Sequence, residues 1–151
     1  MAFVYLGLGT NLGDKERNLN NAIISLSVYV GAIIRQSTFY VSEPWGFESD
    51  NRFLNAVVLV ETNLQPFDLL AKTQEIERMI GRTTKSVTGY ADRLIDIDIL
   101  FYDNLIIDQP ALKIPHPLIV ERDFVLLPFA EIAPEFVHPV LGKRIIDLVR
   151  I

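Results

Sequence analysis

The chain has 151 residues, with 19 acidic residues against 14 Lys and Arg for a formal net charge of −5, half of its residues hydrophobic, and no Cys. That length suits one domain over residues 1–151 with a real core, and the composition excludes a disulfide framework, a thiolate metal site and a Cys nucleophile. Two His cannot build a three-His zinc site, and the acidic balance argues against a nucleic-acid partner. The first residues have no basic segment and meet Gly7, Gly9 and Asn11 at once, and no window approaches the roughly 18 apolar residues of a membrane span, so a cytoplasmic chain without membrane partners is expected.

Residues 3–9 are short, apolar and broken by Gly9-Thr10-Asn11, the pattern of a first strand. From Gly13 the period changes. Leu19, Ala22, Ile23, Leu26 and Val30 recur at helical spacing, and Gly31 closes the run. Residues 32–41 and 53–61 read as two strands around a polar, turn-rich segment. A second helix opens at Pro66 with Asp68 in its first turn, places Leu69, Thr73, Ile76 and Ile80 on one side, and ends at Gly81. Residues 82–93 are polar, and residues 94–101 read as a strand. A hairpin through Asp103-Asn104, a Pro-His-Pro loop, a short helix near 121–132 and a tail follow. The order strand, helix, strand, strand, helix, strand predicts an α+β, ferredoxin-like βαββαβ core: an antiparallel sheet with helices on one face, C-terminal additions, and the other face free for a site.

The strand Asp96-Ile97-Asp98 carries the strongest chemical signal. Residues i and i+2 of a strand share a face about 6.6 Å apart, so two like charges sit together while Ile95, Ile97, Ile99 and Phe101 are expected on the opposite face. Asp is depleted in strands. Hard divalent cations would remove the repulsion, and two carboxylates with substrate phosphates are a usual Mg²⁺ arrangement; a solvated outer face is the alternative. Between Arg78 and Arg93 stand four basic residues, Arg78, Arg82, Lys85 and Arg93, against Asp92 alone; by itself the stretch reads as surface salt bridges, but beside Asp96 and Asp98 it suits a polyphosphate. Gln74 and Glu77 share a helix stripe leading to Arg82. Trp45, Phe47, Phe53, Asn55 and Phe124 could receive a flat heterocycle, by ring stacking and an amide that both donates and accepts, or could be simple core. His116, rigid between two prolines and followed by Arg122, suits a phosphate contact or a structural hydrogen bond, and His138 reads as structural. Gly7-x-Gly9-x-x-x-Gly13 is one residue too long for a dinucleotide fingerprint, and no acidic residue stands at the ribose position near Gly31.

Assembled, these residues resemble the 6-hydroxymethyl-7,8-dihydropterin pyrophosphokinase family over nearly the whole chain. The resemblance lies in Gly9-Thr10-Asn11-Leu12-Gly13, Tyr40-Val41-Ser42-Glu43-Pro44-Trp45-Gly46, Phe53-Leu54-Asn55-Ala56, Gln74-x-x-Glu77 with Gly81-Arg82, Arg93-Leu94-Ile95-Asp96-Ile97-Asp98, and Ile114-Pro115-His116-Pro117 leading to Arg122-Asp123-Phe124. It implies a ferredoxin-like fold and transfer of the pyrophosphoryl group of ATP to the pterin's hydroxymethyl oxygen, releasing AMP. It implies two Mg²⁺ ions on Asp96 and Asp98, catalytic roles for Arg82 and Arg93 beside them, and ATP contacts from Gln74, Glu77, Arg82, Lys85, Arg93, His116 and Arg122. The pterin would lie between Phe53 and Phe124, with Asn55 and the stretch holding Ser42, Glu43 and Trp45 at its edge. The partners are then small molecules, and the chain a monomer. Tyr90-Ala91-Asp92-Arg93 stands where many members read Trp-Gly-Pro-Arg, and residues 83–92 are expected to close over the site as a lid. A non-catalytic ligand-binding module on the same fold is the competing class; metal-dependent ATP binding would separate the two.

Overall fold

The computed structural model describes residues 1–43, 51–81 and 94–149. In β1 (Ala2–Thr10), alternation buries Val4, Leu6 and Leu8 on one face and leaves Tyr5, Gly7 and Gly9 on the other. Asp14 caps α1 (Lys15–Tyr29) by accepting the Arg17 N–H at 3.1 Å, and the helix buries Leu19, Ala22, Ile23 and Leu26. β2 (Gly31–Gln36), β3 (Tyr40–Ser42) and β4 (Phe53–Thr62) lead to α2 (Pro66–Gly81), which buries Leu69, Thr73 and Ile76, and then to β5 (Asp96–Tyr102). The sheet order is β2-β4-β1-β5, every pair antiparallel, with β3 on the same edge of β4 as β2. Apart from the extra β3, this is the expected ferredoxin-like arrangement. β2 crosses close to β4 because Gly31 has no side chain: a Cβ there would lie 1.9 Å from the Glu61 carbonyl oxygen.

Leu19, Leu26, Leu69 and Ile76 pack on Val4, Leu6, Val58, Val60, Ile97 and Ile99, so α1 and α2 share one face. The opposite face is not free, as the sequence suggested. After β6 (Ile107–Gln109) and β7 (Leu112–Ile114), α3 (Asp123–Ile132) covers half of it, setting Val125, Leu126, Phe129 and Ile132 on Tyr5, Val57, Leu59, Leu100 and Phe101. Tyr5 stacks on Phe129 at 4.5 Å, and Phe101 meets Phe129 edge-on at 5.4 Å. The apolar run of α3 needs a partner surface, and this half of the sheet supplies it. The other half of that face carries Gly7, Gly9, Asn55, Asp96 and Asp98.

Three local expectations change. The single strand over 32–41 is two strands, because Ser37 accepts the Val57 N–H with Oγ at 3.0 Å while its own N–H bonds the Val57 carbonyl at 2.9 Å. A side chain thus replaces the ladder and the chain leaves the sheet until Tyr40 pairs with Asn55. Phe101 does not join Ile97 and Ile99: Tyr5 pairs with Phe101 but Leu6 with Ile99, so Leu100 is an extra residue, and Leu100 and Phe101 both face α3. The turn at Asp103-Asn104 ends β5 without making a hairpin, since Asp103 ties back to Phe3 through N–H to carbonyl at 2.9 Å and Phe3 N–H to Oδ1 at 2.8 Å. The hairpin is the next one, β6 with β7. Among the described residues no helix is long and apolar enough to cross a membrane.

Candidate active site

β5 turns Ile97 and Ile99 into the core beneath the helices and so presents Asp96 and Asp98 on the opposite face. Their partners on β1 are Gly9 and Gly7. Arg122, only 8% exposed at the start of α3, brings Nη1 to 3.5 Å from Asp98 Oδ2 and its guanidinium carbon to 5.6 Å from the centre of the Phe124 ring. The His116 N–H bonds the Leu100 carbonyl at 3.0 Å, and its Nδ1 accepts the Leu118 N–H at 3.2 Å. Burial, then the nearby Arg122 charge, lower the His116 pKa to about 4 against the opposing pull of Asp96. At neutral pH the ring is therefore neutral with its proton on Nε2, a donor without a charge. Of the two readings for His116, the structural hydrogen bond is the one present, made by Nδ1. His138 is structural, accepting the Val140 and Leu141 N–H groups at 3.2 Å each and standing edge-on to Phe101.

Gly9 pairs with Asp96 on one side and with Asn55 on the other. Asn55 is 4% exposed, and its Nδ2 donates to the Tyr40 carbonyl at 3.1 Å and to Ser42 Oγ at 2.7 Å. A backbone carbonyl can only accept, so the amide nitrogen must face β3 and Oδ1 must face β1. A Cβ built on Gly9 would lie 3.3 Å from that Oδ1 and 3.6 Å from the Phe53 ring. The bare backbone of Gly9 is thus a floor between the carboxylates and the amide, and two strand spacings of about 4.8 Å make it about 10 Å across. Phe53 and Phe124 are both half-buried. Glu43 is exposed and pairs with Arg52 at 3.0 Å, bracketing the stretch that joins β3 to β4.

Glu77 reaches the site from behind. It is buried on α2, and its carboxylate accepts at 2.8 Å the N–H of Ile97, the residue between the two aspartates. Gln74, one turn earlier, is exposed. The structure therefore brings Asp96, Asp98, His116, Arg122 and Phe124 to one side of the glycine floor and Ser42, Phe53 and Asn55 to the other. Trp45, Arg82, Lys85, Arg93 and the expected lid over 83–92 lie outside the described residues. Among the described residues no three His, Asp or Glu cluster as a metal cage. Two carboxylates completed by water and phosphate oxygens nonetheless fit Mg²⁺, which rarely uses an all-protein cage. The sequence pattern assigned no role in a site to Gly7 or Gly9, whose bare backbone lines this face beside Asp98 and Asp96. The i, i+2 spacing of the two glycines within a strand was the available signal, and a failed dinucleotide fingerprint hid it.

Fold and site together define an α+β domain of ferredoxin-like topology with a glycine-floored cleft for small molecules. The family model for 7,8-dihydro-6-hydroxymethylpterin-pyrophosphokinase (HPPK) matches residues 5–134. The chain is 50% identical over 141 residues to the 2-amino-4-hydroxy-6-hydroxymethyldihydropteridine pyrophosphokinase of Porphyromonas gingivalis, covering 92% of this chain and 95% of that one. It is 43% identical to the enzyme of the same description from Aquifex aeolicus, covering 95% and 88%. It is also 45% identical to a folic acid synthesis protein of Dictyostelium discoideum, covering 91% of this chain and 20% of that protein. Plasmodium falciparum HPPK-DHPS, solved with pteroate, shares the fold at a TM-score of 0.78 and 18% identity, covering 97% of this chain and 43% of that one. The chain belongs to the 7,8-dihydro-6-hydroxymethylpterin-pyrophosphokinase family. Its reaction is pyrophosphoryl transfer to hydroxymethyldihydropterin, a step of folate biosynthesis, with ATP as co-substrate.

Proposed function

We propose that residues 1–151 form one pyrophosphokinase domain, monomeric and cytoplasmic, in which the two sides of the Gly9 floor receive the two substrates. The single observation that carries this reading is the register of Gly9, which sets Asp96 and Asn55 on either side of one bare residue. The pterin ring lies over Gly9, between Phe53 and Phe124, with its edge on Asn55 and on the stretch holding Ser42, Glu43 and Trp45. Its hydroxymethyl arm then points toward Asp96 and Asp98. ATP lies beyond them, its phosphates received by Arg82, Lys85, Arg93, His116 and Arg122, with Gln74 and Glu77 on the helix side.

Asp96 and Asp98 would hold two Mg²⁺ ions, which would supply charge neutralisation at the phosphoryl oxygens and a lowered pKa at the attacking hydroxyl. The protein's own part is positioning and electrostatics, the usual division of labour in phosphoryl transfer. Asn55 orients the ring through Oδ1, because its nitrogen is committed to Tyr40 and Ser42. Arg122 balances Asp98 and stacks on Phe124, so one guanidinium links the phosphate side to the ring side. His116 offers Nε2–H to a phosphate oxygen without adding to the local positive charge. Glu77 holds the Ile97 peptide and with it the spacing of the two aspartates. A coupled AMP-release assay with 6-hydroxymethyl-7,8-dihydropterin tests the reading, alongside calorimetric titration of ATP with and without Mg²⁺. Pterin-dependent AMP release and Mg²⁺-dependent ATP binding are expected; metal-independent ATP binding would refute the assignment of Asp96 and Asp98.

A further inference from the structure

We propose that Glu131, at the far end of α3 from Arg122 and Phe124, is a positioning residue for the pterin, acting through Thr38, Tyr40 and the Asn55 amide. The inference rests on the reading of Asn55 as a pterin contact. Both carboxylate oxygens of Glu131 lie 3.1 Å from the Thr38 N–H, and Oε1 also accepts from Thr38 Oγ1 and from the Tyr40 hydroxyl, each at 2.8 Å. Arg35 closes the same joint from the other side, Nη1 donating to the Ile132 carbonyl at 2.9 Å.

The place of this hook matters. Past Ser37, which still bonds Val57, the chain leaves the β4 ladder, and the Glu131 carboxylate supplies the Thr38 N–H with the acceptor that the ladder does not. The next residue, Tyr40, pairs with Asn55, and its carbonyl receives the Asn55 nitrogen at 3.1 Å. Whatever fixes Tyr40 therefore fixes which way Asn55 Oδ1 points. An isolated exposed carboxylate would contribute little, but four convergent bonds from one short segment make a geometric restraint. The Glu131 carboxyl is opposed by partial burial, yet the bonds from Tyr40 and Thr38 together hold it below the ordinary carboxylate range. The Tyr40 hydroxyl is raised above its ordinary value, first by its bond to Glu131 and then by burial. Both directions are those of a charge-assisted bond. Asp96, Asp98 and His116 lie across Gly9 from this network, so its loss is expected to fall first on the pterin side.

The test is steady-state kinetics and pterin binding for Glu131→Ala, Glu131→Gln and Tyr40→Phe, each also in an Asn55→Ala background. Glu131→Ala and Tyr40→Phe are expected to raise the pterin KM and Kd about fivefold or more, leaving kcat and the ATP KM within about twofold. Glu131→Gln keeps one acceptor for Thr38 and Tyr40 and should recover much of the loss. In the Asn55→Ala background the same substitutions should add nothing. A normal pterin KM in Glu131→Ala, whatever its melting temperature, overturns the proposal, and so does a penalty that adds in full to that of Asn55→Ala. Should Glu131→Ala fail to fold, Tyr40→Phe, which loses one hydroxyl and keeps the backbone carbonyl, carries the measurement. A wild-type protein whose pterin affinity is unchanged by Asn55→Ala refutes the placement of the ring instead, and is read separately from the Glu131 variants.

Discussion

Replacing Gly9 with Ala probes the floor of the cleft most directly, because the structure also supplies its control. The new methyl would stand 3.3 Å from Asn55 Oδ1, which must give by a few tenths of an ångström, and in ordinary contact with the Phe53 ring at 3.6 Å. Overpacking of this kind costs about 1–3 kcal/mol, while losing a glycine's unfolded-state freedom returns about 0.4–1 kcal/mol. The net loss of stability is then between about zero and about 2.6 kcal/mol, and the protein should fold. Ligand binding has no such compensation. The methyl occupies the space over which the ring lies and turns away the oxygen that orients it; a buried bond lost in this way costs about 1–3 kcal/mol. Pterin affinity should fall at least about fivefold at constant affinity for an ATP analogue, both read by calorimetry. At Gly7 an added Cβ would meet only Leu100, at 3.4–3.6 Å, which is ordinary contact. Gly7→Ala should therefore keep pterin binding. Wild-type pterin affinity in Gly9→Ala, or an equal loss in both variants, would refute the placement of the ring over Gly9.

Asp96→Asn and Asp98→Asn keep size and remove a hard anionic ligand, so circular dichroism should remain native while AMP release falls at least about a hundredfold; near-full activity in both would remove the metal from this pair. The pH profile of stability should carry the mark of His116, whose pKa drops from 6.5 to about 4 on folding. Between those values the unfolded chain binds the extra proton, so stability declines as pH falls through that window, by a ceiling of about 3 kcal/mol. Urea unfolding of metal-free protein at pH 7 and 4.5 should show this decline reduced in His116→Gln; identical slopes would mean that His116 is not held neutral by the fold.

Much of this architecture was legible because it rests on periodicity. Leu19, Ala22, Ile23 and Leu26 announce one helix, Leu69, Thr73 and Ile76 the other, and Asp96-x-Asp98 a two-faced strand. What escaped depends on contacts between residues distant in sequence. The split of residues 32–41 hinges on one hydroxyl, Ser37, meeting one N–H on β4, and nothing in the local pattern distinguishes that serine from an ordinary strand residue. The hook of Glu131 on Thr38 and Tyr40 spans more than 90 positions. The displacement of Phe101 comes from a bulge opposite Tyr5 and Leu6, visible only once the register of β1 and β5 is known. The resemblance in motifs singled out residues that local pattern could not rank, such as Arg122 and Phe124, which by themselves read as the start of an apolar helix and which the fold sets beside Asp98 and each other.

The bulge at Leu100 also explains how one sheet face can serve two purposes. Strict alternation from Asp96 and Asp98 would place Leu100 on their face and return Phe101 to the helix side. The extra residue keeps both on the carboxylate face, so the polar end of β5 is followed at once by two large apolar side chains. Phe101 then joins Tyr5, Phe129 and Phe136 in an aromatic cluster, with ring centres 4.8–5.4 Å from Phe136 and Phe129. That cluster anchors the middle of α3. With its middle fixed, the helix extends in both directions as a rigid element: its first residues carry Arg122 and Phe124 to Asp98, and its last turn carries Glu131 to Tyr40. The two sides of the cleft are thus referred to one helix packed on β4, β1 and β5, while the strand spacing across Gly9 sets the distance from Asp96 to Asn55.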